Sequence, residues 1–122
     1  MKESKIQSDF YKWFNAEYAE FRFVLFSVPN EMLFLSMLPK ALQFRIMSML
    51  KAMGMSSGVA DMFFSVPRGT FHGLYIEFKT ATGRQSDKQK RFEEKVKEQH
   101  YAYIVCRSSE EAKEQIIKYL AL

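Results

Sequence analysis

Three charged residues in this chain lie where charge is costly. Asp61 sits in the apolar run Val59-Ala60-Asp61-Met62-Phe63-Phe64, and Glu77 and Lys79 sit in another, Leu74-Tyr75-Ile76-Glu77-Phe78-Lys79. Both runs have strand composition, and the turn-rich Pro67-Arg68-Gly69 between them predicts a hairpin. Side chains alternate across a strand, so Glu77 and Lys79 share one face while Phe78 points the other way, into a core. If the pairing brings Asp61 to the Glu77 face, two carboxylates and an ammonium converge. Two acidic oxygens for a hard divalent cation, with a fixed positive charge beside them, are the components of metal-assisted phosphodiester hydrolysis. The plain alternative is a half-exposed hairpin whose outward positions are acidic, with Lys79 an ordinary surface lysine at the end of an edge strand.

The elements that must position these residues are legible along the chain. From Glu3 to Ala19, Ile6, Phe10, Phe14 and Tyr18 recur at helical spacing, which predicts a helix with one apolar stripe. Phe21 to Val28 is dense in aromatic and β-favouring residues and stops at Pro29-Asn30, so it reads as a strand, with Phe21, Phe23 and Phe26 assigned to the core. Glu31 to Leu38 reads equally as a helical turn or a packed loop. Pro39 suits the first turn of a helix carrying Ala41, Leu42, Ile46, Met49, Leu50 and Met53, and Gly54 suits its end. Strands follow near Val59–Ser65 and Leu74–Thr80, then a helix from Ser86 to Gln99, a strand from Tyr101 to Cys106 and a last helix opened by Ser108. This alternation predicts an α/β fold, a central mixed β-sheet flanked by helices. Gly58 is expected to permit a tight chain approach ahead of the Asp61 strand.

Composition sets the outer bounds. A chain of 122 residues reads as one domain over 1–122. Eighteen Lys and Arg against fourteen Asp and Glu give a net charge of +4, which permits nucleic-acid binding without proving it. The lone Cys106 points to a reducing, cytoplasmic setting, and one Cys with two His argues against a structural zinc site. No secretory leader and no membrane-spanning stretch is read, so a soluble intracellular protein is expected.

The D…(E)xK arrangement with a hydrophobic x resembles the PD-(D/E)xK nuclease superfamily. The wider pattern GVAD…YIEFKTATGRQSDKQKRF…YAYIVCRSSEEAKEQIIKYL is similar to the small, free-standing VRR-NUC nucleases of phages and bacteria, from about Ile6 to the C-terminus. Ala60 stands where the superfamily name has Pro. The resemblance implies a restriction-endonuclease-like core and Mg²⁺ or Mn²⁺ held by Asp61, Glu77 and the main-chain carbonyl of Phe78. It also implies that Lys79 aligns the attacking water. Gln89 corresponds to an active-site residue of the family, yet Ser86-Asp87-Lys88-Gln89 is also a capping box, and the two roles compete for one amide. Related nucleases complete the metal shell with a Glu or Gln from the first helix; Gln7 and Glu3 are the candidates, with Glu17 as a fallback. Arg68 at the hairpin tip, and Arg84, Lys88, Lys90 and Arg91, are candidate phosphate contacts; each is equally an ordinary solvated charge.

The function expected on this resemblance is a metal-dependent DNA endonuclease acting on branched DNA such as Holliday junctions. It would work as a homodimer with no organic cofactor and no membrane partner. The alternative is a non-catalytic DNA-binding accessory module that keeps the nuclease fold.

Overall fold

The apolar stripe of the first segment forms α1, Glu3–Glu17, and buries Ile6, Phe10 and Phe14. The structure, a computed structural model, describes residues 2–28 and 35–122. A short 3-10 turn at Ala19–Phe21 leads to β1, Leu25–Ser27. Then come α2 (Lys40–Ala52), β2 (Met62–Phe64), β3 (Leu74–Phe78), α3 (Asp87–Glu98), β4 (Ala102–Cys106) and α4 (Ser109–Leu120). The strands form one sheet in the order β1-β2-β3-β4, antiparallel except for the parallel β3–β4 pair. The α/β reading with a mixed central sheet therefore holds.

Strand alternation divides β3 between two layers. Leu74, Ile76 and Phe78 are buried beneath α1 and α4, where the Phe10 ring lies 5.8 Å from Phe78 and Tyr119 lies 6.0 Å from Phe64. Burial of each such side chain contributes about 1.5–3 kcal/mol. Tyr75 and Glu77 face the opposite layer, where Phe92 of α3 meets Tyr75 edge-on at 5.0 Å. Ser86 caps α3 with the full reciprocal box: its hydroxyl accepts from Gln89 N and its own N–H donates to the Gln89 side chain.

Two expectations for the N-terminal half need correction. The Phe21–Val28 strand shortens to Leu25–Ser27, and Phe23 and Phe26 are exposed at 89% and 46% instead of lying in the core. As an edge strand, β1 buries only its Leu25, while Phe21 leaves the strand to pack edge-on against Phe64 at 5.7 Å. The expected helix after Pro39 is present as α2, Gly54 ends it at φ +102°, and none of its residues is buried. Residues 31–34 of the ambiguous Glu31–Leu38 stretch lie outside the described residues. None of the described helices is long and apolar enough to cross a membrane.

Candidate active site

Antiparallel register assembles the acidic pair. Met62 stands opposite Ile76, so one step further along each chain places Asp61 opposite Glu77 on the same face. Both residues sit just where β2 gives way. Instead of continuing the ladder, the Asp61 carboxylate accepts the Phe78 N–H at 2.7 Å. Within a strand residue N–H and C=O point to the same side, so the Phe78 carbonyl also faces the Asp61 edge. Lys79 N–H turns the other way, to Cys106 O at 2.9 Å.

Glu77 is 1% exposed and Lys79 8% exposed. The Lys79 ammonium lies 3.7 Å from Glu77 Oε2, and Gln89 Nε2 donates to that same oxygen at 2.7 Å. Gln89 Oε1 meanwhile accepts the Ser86 N–H at 2.8 Å. The expected competition for this amide does not arise, because its two ends serve the two roles: the oxygen caps α3 and the nitrogen holds Glu77.

The electrostatics are those of crowded, buried acid. Burial raises the Asp61 carboxyl above its ordinary range, partly offset by the Phe78 N–H and by Lys79. Burial and the adjacent Asp61 push Glu77 up to about 8, with Lys79 opposing. Glu3, at the start of α1, lies near enough to raise both. Gln7 points its amide to Ser27 Oγ at 3.4 Å. Glu17 stands at the far end of α1, beyond Phe14, whose ring packs on Phe64 at 5.5 Å at the other end of the sheet.

Glu77 Oε1 is buried with no hydrogen-bond partner. Such an orphaned carboxylate oxygen is expensive unless something positive meets it. No group of three or more His, Cys, Asp or Glu suited to a metal occurs among the described residues. The donors present are therefore two carboxylates and a main-chain carbonyl, all oxygen. That set fits Mg²⁺ or Mn²⁺, which keep several waters and need only one or two carboxylates.

The candidate phosphate contacts divide. Lys88 and Arg91 lie on α3 next to Gln89, and Arg84 is exposed in the loop between β3 and α3. Arg68 is not brought to the site. It lies at the opposite end of the hairpin, donating to Pro67 O at 2.8 Å with its guanidinium over the Phe21 ring. The tip is anchored there by α4, whose Leu120 O accepts from Arg68 Nε at 3.4 Å.

Three residues near the site escaped the sequence reading. Gln85 Nε2 donates to Tyr103 Oη at 3.3 Å and to Glu93 Oε1 at 3.1 Å, joining the loop to β4 and α3. Burial, then the Glu77 charge, hold the Tyr103 hydroxyl far above its usual range. Arg107 donates to the carbonyls of Thr80 and Gly83, at 2.8 and 2.6 Å, and so braces the turn that follows Lys79. Only the parallel pairing of Tyr103 with Tyr75 would have brought Tyr103 beside Glu77. Cys106 is a core residue, its thiol pushed up to about 12 by burial.

The fold has a known counterpart. None of the curated proteins matches the chain significantly. A solved structure described as a VRR_NUC domain protein superposes with a TM-score of 0.78 at 21% sequence identity, covering 100% of this chain and 90% of the other. At that identity the likeness speaks for the restriction-endonuclease-like fold alone. The family model for the VRR-NUC domain matches residues 1–110, which takes in α1, Asp61, Glu77, Lys79 and Gln89, and so the chain belongs to the VRR-NUC domain family.

Proposed function

We propose that this nuclease-type domain is a metal-dependent DNA endonuclease that hydrolyses phosphodiester bonds, with selectivity for branched DNA such as Holliday junctions. The observation that carries the reading is the buried, unpartnered Glu77 Oε1 beside Asp61, with Lys79 and Gln89 both directed at the other Glu77 oxygen. Asp61, Glu77 and the Phe78 carbonyl would hold Mg²⁺ or Mn²⁺, with Glu3 reaching the shell through water. Bound there, the cation would supply Lewis acidity at the phosphoryl oxygens and lower the pKa of a bound water. Lys79 orients the attacking water and counters charge that builds on the phosphoryl oxygens, a role for a compact ammonium. Water oxygen bonds to phosphorus, the bond to the leaving sugar oxygen breaks, and that oxygen departs with a proton. Gln89 keeps Glu77 in place while capping the helix it stands on.

A homodimer accompanies this reading. Phe44 in α2 and Met53 at its C-terminal cap are 78% and 76% exposed, which supports α2 as a contact between two copies. Two-fold symmetry matches the paired cuts that a four-way junction requires.

The test is cleavage of end-labelled four-way junction, flap and linear duplex DNA in Mg²⁺, Mn²⁺ or EDTA, by wild type and Lys79→Ala. Paired metal-dependent cuts confined to the junction and lost in the variant are the expected result. Binding without cleavage of any substrate would replace the enzyme with an accessory module. A purely monomeric species in light scattering at micromolar protein would remove the dimer.

A further inference from the structure

A basic cleft runs along one side of α3. Lys88, Arg91 and Lys95 share one face of that helix and, with Ser56, Ser57 and the ring of Phe92, line a space of about 330 Å³. Its lining contains no carboxylate. Lys95 has an exposed contact to Glu98 at 3.7 Å, of a kind that contributes little. Arg84 and Lys90, as close in sequence, are absent from the lining.

The two walls of the cleft are locked together. Gly58 has φ +88°, and a Cβ there would come within 2.7 Å of the main-chain carbon and oxygen of Lys88. Only glycine allows that approach. Each wall also runs directly into the acidic site. Gly58 leads to Asp61, and Lys88 precedes Gln89, whose amide is bonded to Glu77. The Phe92 ring, which meets Tyr75 at 5.0 Å and near a right angle, supplies the apolar part of the lining.

We propose that this cleft binds the phosphodiester backbone of the nucleic-acid strand adjoining the scissile bond, through Lys88, Arg91 and Lys95 with the hydroxyls of Ser56 and Ser57. The word scissile rests on the nuclease reading above; the binding does not. Three cations with no carboxylate in the lining concentrate phosphate, and contacts made to phosphate carry no sequence information.

The test is fluorescence anisotropy of a labelled duplex in EDTA, so that no cleavage is needed. Wild type is compared with the double variant Arg91→Ala/Lys95→Ala, and with Lys12→Ala/Lys118→Ala, which removes as much charge from α1 and α4 on the other side of the sheet. Between about 50 and about 200 mM potassium chloride, the cleft variant should bind roughly tenfold more weakly at the low end, with a salt slope shallower by about 2. The control variant should keep the wild-type slope. Unchanged binding in the cleft variant, or an equal loss in both, would overturn the proposal, and thermal melts establish that each variant is folded. Wild-type binding with the predicted slope loss but no cleavage in Mg²⁺ would support the cleft and end the nuclease reading, so the two fail separately.

Discussion

Glu77 and Phe78 are chain neighbours, buried to 1% and 0% exposure, and they live in opposite physical regimes. Phe78 points into the layer under α1, where it joins the cluster of buried apolar side chains and its ring meets Phe10 at 5.8 Å. Glu77 points under α3, where an acid, an ammonium and an amide gather and one carboxylate oxygen has no partner. The same alternation that saturates one face of β3 leaves the other incomplete in hydrogen bonds. Burial stabilises the first side chain and penalises the second, and the second is where a cation and a substrate would supply what is missing.

Removing the polar face should have the largest effect. Asp61→Ala and Lys79→Ala should each reduce cleavage by on the order of a thousandfold or more, if the acid and ammonium act as proposed. Asp61→Ala should leave the thermal transition near that of wild type, whereas Lys79→Ala should lower it, because Asp61 and Glu77 then stay buried without the ammonium that opposes their desolvation. End-labelled cleavage and calorimetry on the same samples test both halves; an Asp61→Ala protein that cuts normally would end the assignment.

The apolar face should respond in stability and not in chemistry. Phe78→Ala is expected to cost about 3–5 kcal/mol of folding stability, read by urea denaturation, because the cavity lies against several rings. A loss of activity without that destabilisation would mean that the two faces are not separable.

A pH series distinguishes the faces further. Glu77 rises from 4.5 to about 8 in the folded, metal-free protein. A raised carboxyl favours the folded state while protonated, so its contribution is complete below pH 4.5 and is lost as pH climbs through about 8. The metal-free melting temperature should therefore fall across that window. Mg²⁺ bound as proposed would have to displace the proton, so a Mg²⁺-induced rise in melting temperature should grow toward pH 8. A metal effect independent of pH over this range would contradict the buried-acid picture.

The smallest effects separate the two ends of one amide. Ser86→Ala removes only the α3 cap and should cost about 1 kcal/mol with cleavage retained. Gln89→Ala loses the cap and the Glu77 contact, so it should cost a similar amount of stability and in addition slow cleavage by roughly tenfold, about 1.4 kcal/mol of barrier. Equal turnover in the two variants would make Gln89 a cap and nothing more.

Much of this was legible in the residues themselves. Alternation in Leu74–Lys79 put Glu77 and Lys79 on one face and Phe78 on the other, the Ser86–Gln89 spacing marked a helix start, Gly54 marked a helix end and Gly58 a tight chain approach. These are properties of a few consecutive residues, set by local sterics and hydrogen bonding, and so they survive without knowledge of the rest of the chain. What pairs with what is a different matter. That Asp61 stands opposite Glu77, that Glu3 and not Glu17 lies near the acids, that Arg68 is carried to the far end of the hairpin, and that Tyr103 and Gln85 brace the site are consequences of register and helix direction. Phe23 shows the limit plainly: its type favours a core, but an edge strand has one covered face, and the turn before β1 leaves this ring outside it. Local pattern decides which side of its own element a residue faces; only the docking of distant elements, driven by burial of their apolar faces, decides what it meets there.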